Sequence, residues 1–143
     1  MDDLFEPDKS CVALNVRRLS RIVTRRYEDA LRPVNLKSFQ FSALVALSTR
    51  DAISHSALAN SFGMDLSTLN RNLKPLLARG AIEMTVDPAD ARIRLVKITT
   101  AGKSLYAEAL PLWRAAQKET LEKIGPEMWP ALKDGMNKLI DRD

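Results

Sequence analysis

Five residues between Ser67 and Lys74 carry the groups that could read a nucleic acid. At helical steps of about 100°, Ser67, Thr68, Arg71 and Lys74 fall on one side, with Asn70 on its flank. Hydroxyls and amides both donate and accept, which suits base edges, while two long cations can neutralise phosphates. The opposite arc is Leu66, Leu69, Leu73, Leu76 and Leu77, the pattern of a helix with one sealed face. An ordinary solvated surface is the plainer reading of such a polar arc. Its context favours contact: Asp65 stands where a helix cap belongs, Gly63 allows a tight turn before it, and a basic hairpin follows.

A second group is Asp90, Arg92 and Arg94. The stretch DPADARI, residues 87–93, reads as a charged loop between two alternating strands. Arg92 near its tip can enter a minor groove, whose narrow A·T-rich form concentrates negative potential. Asp90, two residues earlier, can accept from the guanidinium and hold it extended. The alternative is a charged hairpin that keeps a sheet edge soluble.

Other chemistry is poorly supplied. Cys11 is the only cysteine and His55 the only histidine, so neither an intrachain disulfide nor a Cys/His zinc cluster can form. No glycine-rich phosphate loop and no nucleophile with a placed base is recognisable, so neither enzymatic activity nor a cofactor is expected. Cys11 is a candidate redox residue, since a thiol near a helix N-terminus gains some thiolate stabilisation; the plainer and favoured reading is a small buried or half-buried side chain.

The elements that would hold these residues follow from periodicity. Lys9–Leu31 is an amphipathic helix with Val12, Val16, Leu19 and Val23 on one face, closed by Pro33. Its polar face carries Arg17, Arg18, Arg21, Arg25 and Arg26, either paired with acids or facing phosphate. Leu36–Ser48 is too apolar for one exposed face and forms a floor. Asp51–Ile53 is a connector that can add to a sheet. Ser54 caps His55–Phe62, Gly63 turns the chain, and the leucine-backed helix follows. Pro75 removes one helical bond without stopping the leucine period, and Gly80 ends it. Ile82–Val86 and Arg94–Ile98 alternate as a hairpin. Thr99 caps a long helix, Thr100–Ile124, bent at Pro111 and stopped at Gly125; Pro126–Ile140 is the last helix.

The fold class predicted is mainly α with a small β-hairpin wing. Residues 36–99 make a winged helix-turn-helix, and residues 1–35 and 100–143 a helical dimerisation region. The terminal helices carry more apolar surface than the winged unit can cover, so a homodimer is expected.

The 143 residues have a formal charge of +4. Residues 11–40 hold seven Lys or Arg against two acids, residues 56–100 six against four, and residues 101–143 seven of each. The surplus thus lies in the first helix and the winged unit, where phosphates would use it. The acidic opening MDDLFEPDKS has no apolar signal core, and no run approaches the roughly 20 apolar residues of a membrane span, so a cytoplasmic protein is expected.

The segments STLNRNLKPLLARG and DPADARIRLVKITTAGK, with Asp90, Arg92, Thr99 and Gly102 in the pattern Asp-x-Arg then Thr-x-x-Gly, resemble the MarR family of bacterial transcriptional regulators. The resemblance runs from about Cys11 to Leu139. It implies a dimer on a pseudo-palindromic duplex operator, with Ser67, Thr68, Asn70 and Arg71 in the major groove and Arg92 in the minor groove. It further implies a repressor released by a signal such as a small aromatic ligand, and one branch of the family carries a peroxide-reactive cysteine early in its first helix. Here the position one turn after Cys11 is Asn15, and that helix holds only Tyr27. The function expected is a dimeric, sequence-specific DNA-binding regulator. The alternative is a winged-helix module that binds protein through the same faces.

Overall fold

The computed structural model describes residues 2–141. Its elements are α1 (Pro7–Ser10), α2 (Val12–Leu31), α3 (Ser38–Ser48), β1 (Ile53–Ser54), α4 (His55–Ser61), α5 (Leu66–Ala78), β2 (Ile82–Asp87), β3 (Asp90–Ile98), α6 (Thr100–Ile124) and α7 (Trp129–Ile140). The chain divides into two compact units: residues 31–111, and the residues before and after them.

The central unit is the winged helix-turn-helix. Its sheet has the order β1-β3-β2, all antiparallel, with Ile53 and Met84 both opposite Val96, and Ile82 opposite Ile98. The inward face of this sheet and the apolar faces of the helices share one core, in which Leu31, Leu44, Leu47, Leu58, Leu69, Leu73, Leu76 and Val96 are fully buried. Edge-on packing of Phe39 on Phe62 (centroids 5.0 Å apart) and stacking of Phe41 on Tyr106 (5.9 Å) extend it.

The start of α6 is fastened to the end of α5 by the Thr-x-x-Gly stretch. The Thr99 hydroxyl donates to the carbonyl of Gly80 and accepts from the amide of Gly102. Gly102 has no alternative: a Cβ there would stand 2.0 Å from the carbonyl oxygen of Ala81 and 2.7 Å from Cγ1 of Ile98. The two sequence landmarks are therefore one joint.

In the other unit, α2, the second part of α6 and α7 line a half-open apolar pocket of about 250 Å³, with Val16, Leu19, Val23, Leu121, Ile124 and Trp129 among its walls. Tyr27 packs on Trp113 at 6.1 Å and donates its hydroxyl to Gln117. Val12, Val16, Leu19, Ile22, Leu139 and Ile140 remain exposed. No helix among the described residues is long and apolar enough to cross a membrane.

Several local expectations need correction. The first helix is not continuous from Lys9, because Cys11 adopts an extended conformation (φ −60°, ψ 110°) and its carbonyl accepts from the amide of Asn15, so it stands ahead of α2 rather than inside it. The hairpin loop is shorter than residues 87–93. The Asp87 carboxylate accepts from the amide of Ala89, closing the chain around Pro88 and Ala89, and β3 starts at Asp90. Phe62 caps α4 instead of ending it, and the last helix begins at Trp129, with Pro130 in its first turn. Leu66 belongs to the leucine arc but lies beyond the edge of the core, 37% exposed.

Candidate nucleic-acid interface

The polar arc of α5 is held by local chemistry at both ends. At its start, the Asp65 carboxylate accepts from the amide of Thr68 (2.7 Å) and from the hydroxyl of Ser67 (2.8 Å), satisfying a donor that the first turn leaves unpaired. These bonds, the backbone one foremost, hold the Asp65 carboxyl below the usual carboxylate range, with a further contribution from the Arg71 charge. At its end, Gly80 takes φ +68°, and the amide of Ala81 returns to the carbonyl of Leu76, the wrap that turns a chain out of a helix. Between them Pro75 leaves the carbonyl of Arg71 without its helical donor, yet the helix runs on to Ala78.

Behind the arc, Leu69, Leu73 and Leu76 are 0% exposed. In front, Ser67, Asn70, Arg71 and Lys74 are exposed and Thr68 is half-buried. The side chains of Arg71 and Lys74 make no hydrogen bond or salt bridge with another described residue. The Ser67 hydroxyl proton is committed to Asp65, so toward a ligand Ser67 chiefly accepts.

The second group lies on β3. Asp90, Arg92 and Arg94 alternate in step with Val96 and Ile98, so one face of the strand changes from apolar to charged as it leaves the core. Spacing by two explains why Asp90 and Arg92 meet. The guanidinium donates from Nε to Oδ1 (3.1 Å) and from Nη2 to Oδ2 (3.0 Å), and the Arg92 amide also reaches Oδ1 (3.0 Å). This fork keeps the Asp90 carboxyl below its ordinary range and raises Arg92 above its own. The Arg92 side chain is nevertheless 89% exposed. It is a cation in a fixed pose, open to solvent. Arg94 makes no side-chain hydrogen bond or salt bridge with another described residue.

One contributor was not expected from the sequence. The buried ring of His55, first residue of α4, has Nδ1 3.1 Å from the carbonyl oxygen and 3.3 Å from the amide nitrogen of Arg94. Ser54 is the last residue of β1 paired with β3, and the imidazole extends that contact by one residue. It thereby ties the first helix of the pair to the strand that carries the basic hairpin. The only hint in the sequence was a lone histidine beside a helix cap.

Cys11 is half-buried. Asn15 addresses its carbonyl (3.0 Å) rather than its sulfur, and no group of three or more metal-ligating residues occurs among the described residues.

A family model described as "MarR family" matches residues 36–93, which include both groups except Arg94. The M. tuberculosis transcriptional regulator MosR, solved in complex with DNA, superposes with a TM-score of 0.82 at 32% identity, covering 91% of this chain and 93% of that one. CouR of Rhodococcus jostii RHA1, solved with p-coumaroyl-CoA, gives 0.78 at 22% identity, covering 90% and 91%, a likeness of fold. The HTH-type transcriptional repressor NicR of Pseudomonas putida is 27% identical over 108 residues, 76% of this chain and 68% of NicR. A capped, leucine-backed helix followed by a charged hairpin, the matched family model and a relative at 32% identity over nine-tenths of both chains lead to one assignment: the chain belongs to the MarR family of transcriptional regulators.

Proposed function

We propose that two copies of the chain bind one pseudo-palindromic DNA duplex in the cytoplasm and repress transcription until a small ligand or other signal releases them. Ser67, Thr68, Asn70, Arg71 and Lys74 of α5 enter the major groove; Arg92, oriented by Asp90, enters the minor groove, and Arg94 meets the backbone beside it. Residues 36–99 form the DNA-binding region, and residues 1–35 and 100–143 join the two copies. The observation that carries this reading is the state of Arg71 and Lys74: exposed on a rigidly capped helix, and bound by hydrogen bond or salt bridge to no described side chain.

The supporting arguments are independent. MosR was solved on DNA, and NicR is named a repressor. Exposed Val12, Val16, Leu19 and Ile22 on α2 give a second copy an apolar surface to cover. A dimer must then hold its two α5 helices about 34 Å apart to meet successive major grooves, so any signal that alters that spacing lowers affinity. CouR was solved bound to p-coumaroyl-CoA, a ligand with an aromatic acyl group, which supports an aromatic ligand as the signal.

Fluorescence anisotropy of the full chain against genomic promoter fragments tests the reading. A steep fall of affinity with salt and a preference for particular fragments are expected. Binding that ignores both salt and sequence would refute it.

A further inference from the structure

α5 is anchored at its start by Asp65, but Pro75 interrupts its hydrogen-bond ladder at Arg71, a proposed reading residue. The backbone wrap at Gly80 closes the turn beyond Pro75 locally, and a fixed roll of the reading segment needs, besides, a tie to the elements around it. Arg79, which follows the helix, supplies one. Its Nη1 donates to the carbonyl of Asn35 (2.8 Å) and its Nη2 to the carbonyl of Val34 (3.0 Å).

Those acceptors are unusually well placed. The segment Arg32–Val34 is a short 3-10 turn, and Asn35 closes it in the left-handed conformation (φ 51°, ψ 46°), with its amide bound to the carbonyl of Arg32. Leu31 and Leu36, buried on either side, pin the turn to the core. The guanidinium fork thus closes on two successive carbonyls of a rigid link. Planar geometry is what makes this possible, and an ammonium group cannot reproduce it.

We infer that Arg79 is a positioning residue for DNA reading: by clamping the carbonyls of Val34 and Asn35 it fixes the end of α5 to the link between α2 and α3, and so sets the pose of the reading face without touching DNA. The inference rests on the function proposed above. Two of the five N–H donors of the guanidinium are spent on these main-chain carbonyls, which holds the group at the α2–α3 link; the salt slope separates this orienting role from direct phosphate contact.

The test uses the full chain, a preferred genomic duplex and an unrelated duplex of equal length, with active protein counted by stoichiometric titration. Arg79→Ala should weaken the preferred duplex about tenfold, change the unrelated one less than about twofold, and leave the salt slope as in the wild type. Arg79→Lys should not restore the lost affinity. Rescue by lysine overturns the inference, as does wild-type affinity in the alanine variant, or a slope reduced by about two per dimer, the sign of direct phosphate contact. Should the wild type prefer no duplex, the DNA reading itself fails, and amide exchange decides on the clamp. Faster exchange at Leu77–Ala81 in Arg79→Ala then supports it, and unchanged exchange overturns it.

Discussion

Replacing Asp90 by asparagine sets two electrostatic effects against each other at the wing. The substitution removes a negative charge from a surface proposed to approach phosphates, which favours binding. It also dissolves the fork that holds the exposed Arg92 side chain through Nε and Nη2 at 3.1 and 3.0 Å, which disfavours it. For a carboxylate about 7 Å from a phosphate, Coulomb's law in water screened by salt leaves a repulsion of only about 1.5-fold in affinity per wing. Ordering a long, rotamer-rich side chain again on binding costs about 2- to 12-fold in affinity per wing. Orientation outweighs repulsion, and Asp90→Asn should weaken operator binding about tenfold in a dimer. Arg92 keeps its charge, so the salt slope measured by anisotropy should stay within about half a unit of the wild type. Tighter binding by Asp90→Asn would refute the reasoning, because it would make the carboxylate an obstacle and not a support.

Arg92→Ala should instead lower the slope of log K against log salt by up to about two per dimer, one cation lost from each wing, in the same titration. Arg71→Ala should cost about 1–3 kcal/mol per half-site on the preferred duplex and much less on an unrelated one, read as the ratio of the two affinities. Gly102→Ala forces a Cβ to within 2.0 Å of the Ala81 carbonyl oxygen, and should lower stability by about 3 kcal/mol or more, an overpacking cost read as a melting temperature about 6–12 °C lower at equal protein concentration. The Asp90 carboxyl is held below its ordinary value and Arg92 above its own. Their pairing is therefore complete above the ordinary carboxylate range and fades only as pH falls through the lowered value of Asp90. The affinity ratio of wild type to Asp90→Asn should accordingly be flat between about pH 6 and 9 at fixed ionic strength.

The winged unit was legible where its signals are local. Asp65 and Ser54 cap α5 and α4 because each side chain reaches an amide three residues on (2.7 and 3.1 Å), and that reach is written in the spacing. The leucine period survived Pro75 because burial of Leu76 outweighs one lost bond. The hairpin departs from its local signal for a related reason. Asp-Pro-Ala-Asp is strong turn chemistry, and it suggested a loop as far as residue 93, whereas pairing of β3 with β2 continues to the register Asp87 opposite Asp90, past an irregularity at Val86. Cross-strand pairing overruled local preference there. The break at Cys11 had no glycine or proline to announce it; the Ser10 hydroxyl bonds to the carbonyl of Asp3, seven residues back.

The division at the proposed site is sharper. Residues expected to face DNA could be named because exposure and charge appear together in a single element: Arg71 and Lys74 one turn apart on a helix, Arg92 and Arg94 two apart on a strand. Asp65 and Asp90, which orient near neighbours in the chain, could be named as well, but residues that orient these elements from far along the chain could not. His55 meets the backbone of Arg94, 39 residues away, and Arg79 meets the carbonyls of Val34 and Asn35, 45 and 44 residues away. A main-chain carbonyl has no residue type, so no complementary side chain appears in the sequence to mark its partner. What contacts solvent is coded by composition, whereas what fixes its pose is coded by where the fold brings bare backbone. In this chain that asymmetry places the legible half of the proposed DNA-reading site on α5 and β3, and leaves its remote alignment to the imidazole of His55 and the guanidinium of Arg79.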